Sequence, residues 1–278
     1  MDIEKEFADL KEVIIEAGKL AREYFDTDSE QIEHKSDQSV VTEVDKNIET
    51  ALITHIRERF PDDTIVGEEH GSHEGSSSFV WHIDPIDGSG NFVRKVPFCC
   101  VSVARLGDGP EDSFALIYNP ITGHMFASLM EEGVYINEGV TSLRAGSLEG
   151  EKQVISLGYG REKWMKVARY KLFEALGMKF GKCTAYGSAA LELAYLSANR
   201  IDGQLTLGLS TYDYAAGLFL VKAAGGSISV FEDGVWKLWQ DSIKSLCDVH
   251  GKILFCSHPD VHLEMRDFIG DPKQWAES

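Results

Sequence analysis

The segment FVWHIDPIDGSGNF, residues 79–92, joins an apolar strand to a loop that contains two carboxylates and two glycines. Asp84 and Asp87 lie three residues apart at the end of the predicted strand, and Gly88 and Gly90 allow the backbone to turn sharply near a ligand. Two carboxylates this close repel each other, and a divalent cation bound between them removes the repulsion. The segment therefore predicts a metal site, although Asp-x-x-Asp turns are also common on protein surfaces.

Two further acidic segments match this chemistry. Residues 65–69, IVGEE, place Glu68 directly after a short apolar strand. Residues 212–217, YDYAAG, place Asp213 at the start of a predicted helix, where capping of the helix N-terminus is an alternative explanation. Neither segment is specific on its own. Oxygen ligands without sulfur favour Mg²⁺ or Mn²⁺ over zinc.

The first part of the chain, on both sides of residues 79–92, predicts helices packed on an antiparallel sheet. Apolar residues follow a helical stripe from 3 to 25, and a second helix runs from the capping-box segment 42–45 to Pro61. Antiparallel strands are predicted at 99–106, 113–118 and 124–127, with a hairpin-like segment at 133–139, and the polar stretch 70–78 is predicted to be a loop.

After about residue 145, strands and helices alternate. Strands are predicted at 154–157, 202–205 and 253–256, and helices at 162–176, 188–198 and 214–224. This alternation favours a mixed, mainly parallel sheet with helices on both faces. The predicted fold is therefore a layered α/β (αβαβα) sandwich, with an N-terminal α+β half at 1–145 and a C-terminal α/β half at 146–278.

The composition excludes several classes of protein. The net charge of −18 over 278 residues argues against nucleic acid or an anionic membrane as the main partner. The N-terminal residues lack the order of a signal peptide, and no apolar stretch approaches the roughly 20 residues that span a bilayer, so we expect a cytoplasmic protein. The five cysteines have no C-x-x-C spacing and are predicted to be reduced thiols.

The motifs together resemble those of the inositol monophosphatase family, which belongs to the lithium-sensitive, Mg²⁺-dependent phosphatases. That family carries G-E-E, D-P-x-D-G-(T/S)-x-N-F and W-D-x-A-A-G in this order. The matching segments are 67–69, 84–92 and 213–217, and the segments 35–45 and 187–194 are also similar. The resemblance extends over most of the chain, from about residue 5 to residue 260.

The resemblance implies roles for the matched residues. The metal ligands would be Glu68, Asp84, the carbonyl of Ile86, Asp87 and Asp213, and the catalytic residues would be Glu68, Asp87 and Ser89. Substrate-binding residues would be Gly88, Ser89, Ala189 and Asp213, and Lys35 would lie on a loop that closes near the metals. The resemblance further implies two or three Mg²⁺ ions (with Mn²⁺ as a substitute), a small phosphate monoester as substrate, direct attack by metal-activated water, and a homodimer.

Three positions depart from the family pattern and leave the substrate open. Tyr212 replaces Trp, Ser89 replaces the Thr of many members, and Thr206 replaces the Glu that binds inositol hydroxyls seven positions before Asp213. Inositol preference is therefore in doubt. Other sugar phosphates, fructose 1,6-bisphosphate and 3′-phosphoadenosine 5′-phosphate remain candidates, and a regulatory binding protein that keeps the phosphatase fold is the alternative from another functional class.

Overall fold

A computed structural model of the chain describes residues 2–25, 27, 32–34, 40–129, 133–137, 139–141, 153–158, 160, 162–247 and 251–277. The helices are α1 (Ile3–Phe25), α2 (Glu43–Arg59), α3 (Ser89–Val93), α4 (Lys163–Phe180), α5 (Ala189–Ser197), α6 (Thr211–Ala223), α7 (Ile243–Leu246), α8 (Pro259–Ile269) and α9 (Gln274–Glu277). The strands are β1 (Ile32–His34), β2 (Val40–Thr42), β3 (Thr64–Gly67), β4 (Ser72–His73), β5 (Val80–Asp87), β6 (Cys100–Leu106), β7 (Phe114–Asn119), β8 (His124–Leu129), β9 (Val134–Ile136), β10 (Gly139–Thr141), β11 (Gln153–Leu157), β12 (Gly181–Thr184), β13 (Gly203–Leu207), β14 (Ser227–Glu232), β15 (Val235–Leu238) and β16 (Ile253–Ser257).

The first large sheet has the strand order β10-β9-β8-β7-β6-β5-β3-β4. Its pairings are antiparallel, as predicted, except that β3 and β5 run parallel. Val101 and Val103 of β6 pack in the same core as α1 and α2, whereas Cys100 and Ala104 face the opposite side of the sheet. The alternation of side chains along β6 therefore gives this sheet two buried faces.

The second large sheet has the order β12-β11-β13-β16-β14-β15. β11 pairs in parallel with β12 and β13, and the other three described pairings are antiparallel. The sheet is mixed, but the expectation that it is mainly parallel is wrong. The reason is that β16 runs antiparallel to both β13 and β14, and that β14 and β15 form a hairpin. In that hairpin Asp233 and Gly234 adopt positive φ angles of 53° and 81°, which suit a two-residue turn.

Two helices fill the space between the sheets. Side chains of α5 and α6 share one core with Phe126 of the first sheet and Leu254 of the second. The helices cross closely at Gly217, where an added Cβ would lie 2.5 Å from the Cβ of Leu193. Because α4 and α8 pack on the outer face of the second sheet, the predicted αβαβα layering is confirmed.

Several element boundaries differ from the predictions. α4 continues to Phe180, α6 begins at Thr211, and β5 continues through Asp87. The predicted loop at 70–78 contains the short strand β4, which pairs with β3. The proposed boundary between the two halves lies outside the described residues, so that division stays a prediction. Among the described helices, none is long and apolar enough to cross a membrane.

Candidate active site

The parallel pairing of β3 with β5 brings two predicted site residues together. Gly67 pairs with Ile83, and the Glu68 N–H donates to the Ile83 carbonyl at 3.2 Å. Glu68, which follows β3, and Asp84, which lies within β5, therefore stand side by side, one residue beyond the last pair of β3 and β5. The Glu68 side chain lies close enough to Asp84 to raise the pKa of the Asp84 carboxyl group.

The turn that follows Asp84 is held by its own polar groups. The register with β6 shifts between Asp84 and Asp87, the Ile86 N–H donates to Asp84 Oδ1 at 3.0 Å, and Ser89 Oγ donates to the Ile86 carbonyl at 2.9 Å. Gly88 has a φ of 90°, and a Cβ there would lie 3.0 Å from the carbonyl oxygen of Phe98. Glycine is therefore the residue that fits this position.

Asp213 lies near Asp84 and Asp87 but belongs to α6, one of the two helices between the sheets. It lies in the first turn of α6, where its Oδ2 accepts the Ser210 N–H at 2.7 Å in a capping box. Capping, the alternative explanation for this residue, is thus present, and it orients the carboxylate rather than competing with a role in the site. One carboxylate oxygen from each of Asp84, Asp87 and Asp213 lies within 4.8 Å of the other two.

Two carboxyl groups of this cluster, those of Asp84 and Asp87, have raised pKa values. Burial raises the pKa of Asp84 well above its usual value, and the charges of Glu68, Asp87 and Asp213 raise it further. Burial raises the pKa of Asp87 to about 7, although hydrogen bonds from Ser188 and from the Ala190 N–H act in the opposite direction. A divalent cation would offset this repulsion, and an oxygen-only donor set fits Mg²⁺ or Mn²⁺.

Glu49 of α2 is a residue of this region that the sequence analysis missed. Its buried carboxylate accepts the Glu69 N–H at 2.7 Å and the His70 N–H at 3.1 Å. A Cβ at Gly67 would lie 1.8 Å from Glu49 Oε1, so the glycine makes room for this carboxylate. Glu49 thereby holds the turn that carries Glu68, and its position on the apolar stripe of α2 was the available signal.

The start of α5 supplies partners for Asp87. Ser188 Oγ and the Ala190 N–H both donate to Asp87 Oδ2 at 2.7 Å. Ala189, predicted to line the substrate pocket, lies between these two residues and is itself buried. The hydroxyl of Ser188 carries no special signal in the sequence, because its partner lies 101 residues away.

Three other positions from the sequence analysis have different outcomes. Thr206 is only 1% exposed, and its hydroxyl donates to Gln204 Oε1 at 2.8 Å, so it offers no group for a sugar hydroxyl. Tyr212 is partly buried, and its pKa is raised by burial and by the carboxylates around Glu68. Lys35 lies outside the described residues.

Comparison with known proteins identifies the family. The sequence profile of the inositol monophosphatase family matches residues 4–254. Nus factor SuhB of Escherichia coli K12 is 35% identical over 224 residues, which cover 78% of this chain and 82% of SuhB. The Thermotoga maritima IMPase has 25% identity and a TM-score of 0.79 over 97% of this chain and 98% of its own. Inositol monophosphate-bound SaIMPase-II has 23% identity and a TM-score of 0.74 over 98% and 95%, which shows likeness of fold. The chain therefore belongs to the inositol monophosphatase family.

Proposed function

We propose that the protein is a Mg²⁺-dependent phosphatase that hydrolyses a small phosphate monoester. The observation that carries the proposal is the convergence of Asp84, Asp87 and Asp213, from one strand and one helix, with ligand oxygens within 4.8 Å. Buried carboxylates this close together repel one another when all of them are ionised. A site that binds divalent cations accounts for the cluster, and family membership makes phosphate ester hydrolysis the matching chemistry.

The residues proposed to hold the metal ions are Glu68, Asp84, the carbonyl of Ile86, Asp87 and Asp213. Two or three Mg²⁺ ions would bind there, and Mn²⁺ would substitute. When bound, the ions would supply positive charge to the phosphate and lower the pKa of an attacking water. The acidic protein needs this supply of positive charge, because its own net charge is −18.

The remaining steps belong to the side chains and backbone of this chain. Glu68 and the Ser89 hydroxyl would orient the attacking water, and Asp87 would complete the catalytic set. Backbone N–H groups of Gly88 and Ser89 would bind the phosphate oxygens, since the left-handed conformation of Gly88 turns the chain into α3. Ala189 and Asp213 would contact the alcohol part of the substrate.

The identity of the alcohol is the open part of the proposal. The buried Thr206 hydroxyl is already paired with Gln204, so the usual inositol-binding acid has no counterpart at this position. SaIMPase-II has been solved with inositol monophosphate and with 2′AMP. Both ligand classes therefore belong in a substrate test of this protein.

The test is phosphate release from a panel of monoesters, with Mg²⁺ and with EDTA. The panel contains inositol 1-phosphate, 2′AMP, 3′-phosphoadenosine 5′-phosphate, fructose 1,6-bisphosphate and NADP. We expect Mg²⁺-dependent turnover that Asp84→Asn abolishes. Asp202→Asn is the matched control, because Asp202 also accepts a backbone N–H, that of Val154 at 2.8 Å. Asp202 precedes β13, whereas the segment that leads to Asp213 follows β13. Turnover that persists in EDTA or in Asp84→Asn would contradict the proposal.

The second candidate is a regulatory binding role, favoured by the name Nus factor that curated relatives such as Escherichia coli SuhB carry. A folded wild type that binds Mn²⁺ but releases no phosphate from any panel member would favour this candidate. Family membership also supports a homodimer as a proposal, and light scattering in solution would distinguish a dimer from a monomer.

A further inference from the structure

Glu192 is a buried carboxylate outside the proposed ligand set. It lies on α5, where the surrounding positions from Ala189 to Ser197 are otherwise apolar or small. Its side chain is 1% exposed. A buried carboxylate is costly unless hydrogen bonds compensate for the lost water, so the partners of Glu192 indicate its role.

Those partners belong to the turn that precedes α5. Glu192 Oε1 accepts the Tyr186 N–H at 2.8 Å and the Gly187 N–H at 3.0 Å. Gly187 has a φ of 87°, so the turn contains a left-handed residue at this point. Burial raises the pKa of the Glu192 carboxyl group, and the neighbouring polar side chains of Ser156 and Gln204 act in the opposite direction. Through its Oε1 atom, Glu192 therefore ties the turn to α5.

The same turn contacts the carboxylate cluster at several points. The Tyr186 carbonyl accepts a hydrogen bond from Asn91 Nδ2 at 2.7 Å. A Cβ on Gly88 would lie 3.2 Å from the Gly187 carbonyl oxygen. Ser188, the next residue, donates to Asp87. The turn at 186–190 thus lies between Glu192 on one side and the D-P-I-D-G segment on the other.

We propose that Glu192 is a positioning residue that sets the metal affinity of the site through the 186–190 turn, without contacting metal or substrate itself. The inference rests on the proposed function, in that the carboxylate cluster must bind a divalent cation. Loss of the Glu192 acceptor would leave two partly buried N–H groups, those of Tyr186 and Gly187, without this partner, so the turn would relax. Ser188 Oγ and the Ala190 N–H would then hold Asp87 in a wider range of orientations.

Side-chain variants at position 192 separate this role from a merely structural one. Glu192→Gln keeps an oxygen acceptor for the turn but removes the charge. Glu192→Asp keeps the charge but withdraws the acceptor by one methylene, and Glu192→Leu removes both. Asp202→Leu is the matched control, because it deletes a carboxylate that accepts a backbone N–H on the same sheet, away from the site.

The measured quantity is the dissociation constant for Mn²⁺, obtained from the EPR signal of the unbound ion. Circular dichroism and urea unfolding check that each variant is folded. Loss of an outer partner of a metal ligand typically weakens metal affinity by about 10- to 100-fold. We expect a weakening of that size in Glu192→Leu and a smaller one in Glu192→Asp. Glu192→Gln should remain within about threefold of wild type, since its oxygen can still accept both N–H groups.

A double variant tests the route. Ser188→Ala removes one of the two hydrogen bonds to Asp87, and we expect its effect on Mn²⁺ affinity to be less than additive with Glu192→Asp, because both changes act on one carboxylate. Additive effects would contradict transmission through the turn.

The outcomes keep the inference separate from the proposed function. If wild type binds Mn²⁺ and Glu192→Asp binds it as tightly, the inference alone is overturned. A loss in Glu192→Gln as large as in Glu192→Asp, or an equal loss in Asp202→Leu at equal stability, would also overturn it. If wild type binds no Mn²⁺ at millimolar concentration, the metal-dependent function fails and the inference fails with it.

Discussion

Asp87 should make the stability of the metal-free protein depend on pH. Its side chain is 8% exposed, and burial raises its pKa from 3.8 to about 7. An acid with a higher pKa in the folded state binds its proton more tightly when folded, so stability is lost as the pH rises from the unfolded pKa to the folded pKa. We therefore expect the metal-free protein to be more stable near pH 5 than near pH 8.

The size of the effect follows from the shift. A rise from 3.8 to about 7 corresponds to about 4 kcal/mol, at about 1.4 kcal/mol per pKa unit. The Asp87 carboxyl group has one titration curve in the unfolded state and another in the folded state. Together they put nearly 2 kcal/mol of the loss in unfolding free energy below about pH 5, and about 2.5 kcal/mol between about pH 5 and pH 8. The pKa of Asp84 is also raised, so its contribution has the same sign.

The assay is urea unfolding in EDTA at several pH values, followed by tryptophan fluorescence, for wild type and Asp87→Asn. The asparagine keeps an acceptor for the Ser188 hydroxyl and removes the titrating group. His262, whose pKa burial lowers to about 4, destabilises both proteins equally as the pH falls, so it cancels in the difference. We expect the free energy of unfolding of Asp87→Asn to increase relative to that of wild type by about 2.5 kcal/mol between pH 5 and pH 8. If the difference in unfolding free energy between the two proteins were the same at pH 5 and pH 8, the assignment of this pH dependence to Asp87 would be wrong. Added Mg²⁺ should make the stability of wild type less dependent on pH.

Three further substitutions test the packing around the site. Gly67→Ala should weaken Mn²⁺ binding and cost about 1–3 kcal/mol in urea unfolding, because its Cβ would meet the Glu49 carboxylate, and adding Glu49→Ala should restore part of that stability. Gly88→Ala should reduce phosphate release at saturating Mg²⁺, because the new side chain must adopt a φ near 90° against the Phe98 carbonyl, whereas unchanged turnover would contradict the proposed phosphate contact. Arg105→Met should cost about 3–5 kcal/mol in urea unfolding, because it leaves the buried Asp63 carboxylate without its ion-pair partner at 2.8 Å, yet Mn²⁺ affinity should stay unchanged.

Much of the fold was predictable because its signals are local. The apolar stripe of α1 matches the observed helix from Ile3 to Phe25. The apolar run at 99–106 predicted a strand, and in β6 the adjacent side chains of Cys100 and Val101 lie in different cores, as alternation along a strand requires. The direction of strands in the second sheet was not predictable in this way. It depends on the position of β16, which lies between β13 and β14 and runs antiparallel to both, and on the hairpin turn at Asp233 and Gly234, for which no prediction was made.

The same distinction between local signals and long-range contacts applies to the candidate site. The D-P-I-D-G segment is contiguous, so its two carboxylates and its glycine could be identified together. Glu49 and Glu192 each lie among apolar helix positions, which indicates burial, but the backbone N–H groups that they bind leave no mark in the sequence, so their roles were missed. Glu49 binds residues 20 and 21 positions away, and the fold alone brings them together.

Residue types and motifs were sufficient to identify the available chemistry: which side chains carry oxygen ligands, which segments bury apolar stripes, and which motifs resemble those of a phosphatase family. These features depend on residue type and on short periodic spacing. Three features depend on the packing of distant segments: Asp213 lies beside Asp84 and Asp87, Thr206 is enclosed, and burial raises the pKa of Asp87 to about 7. Contacts between distant segments and the removal of water from a carboxylate arise when layers pack together, so no local pattern encodes them.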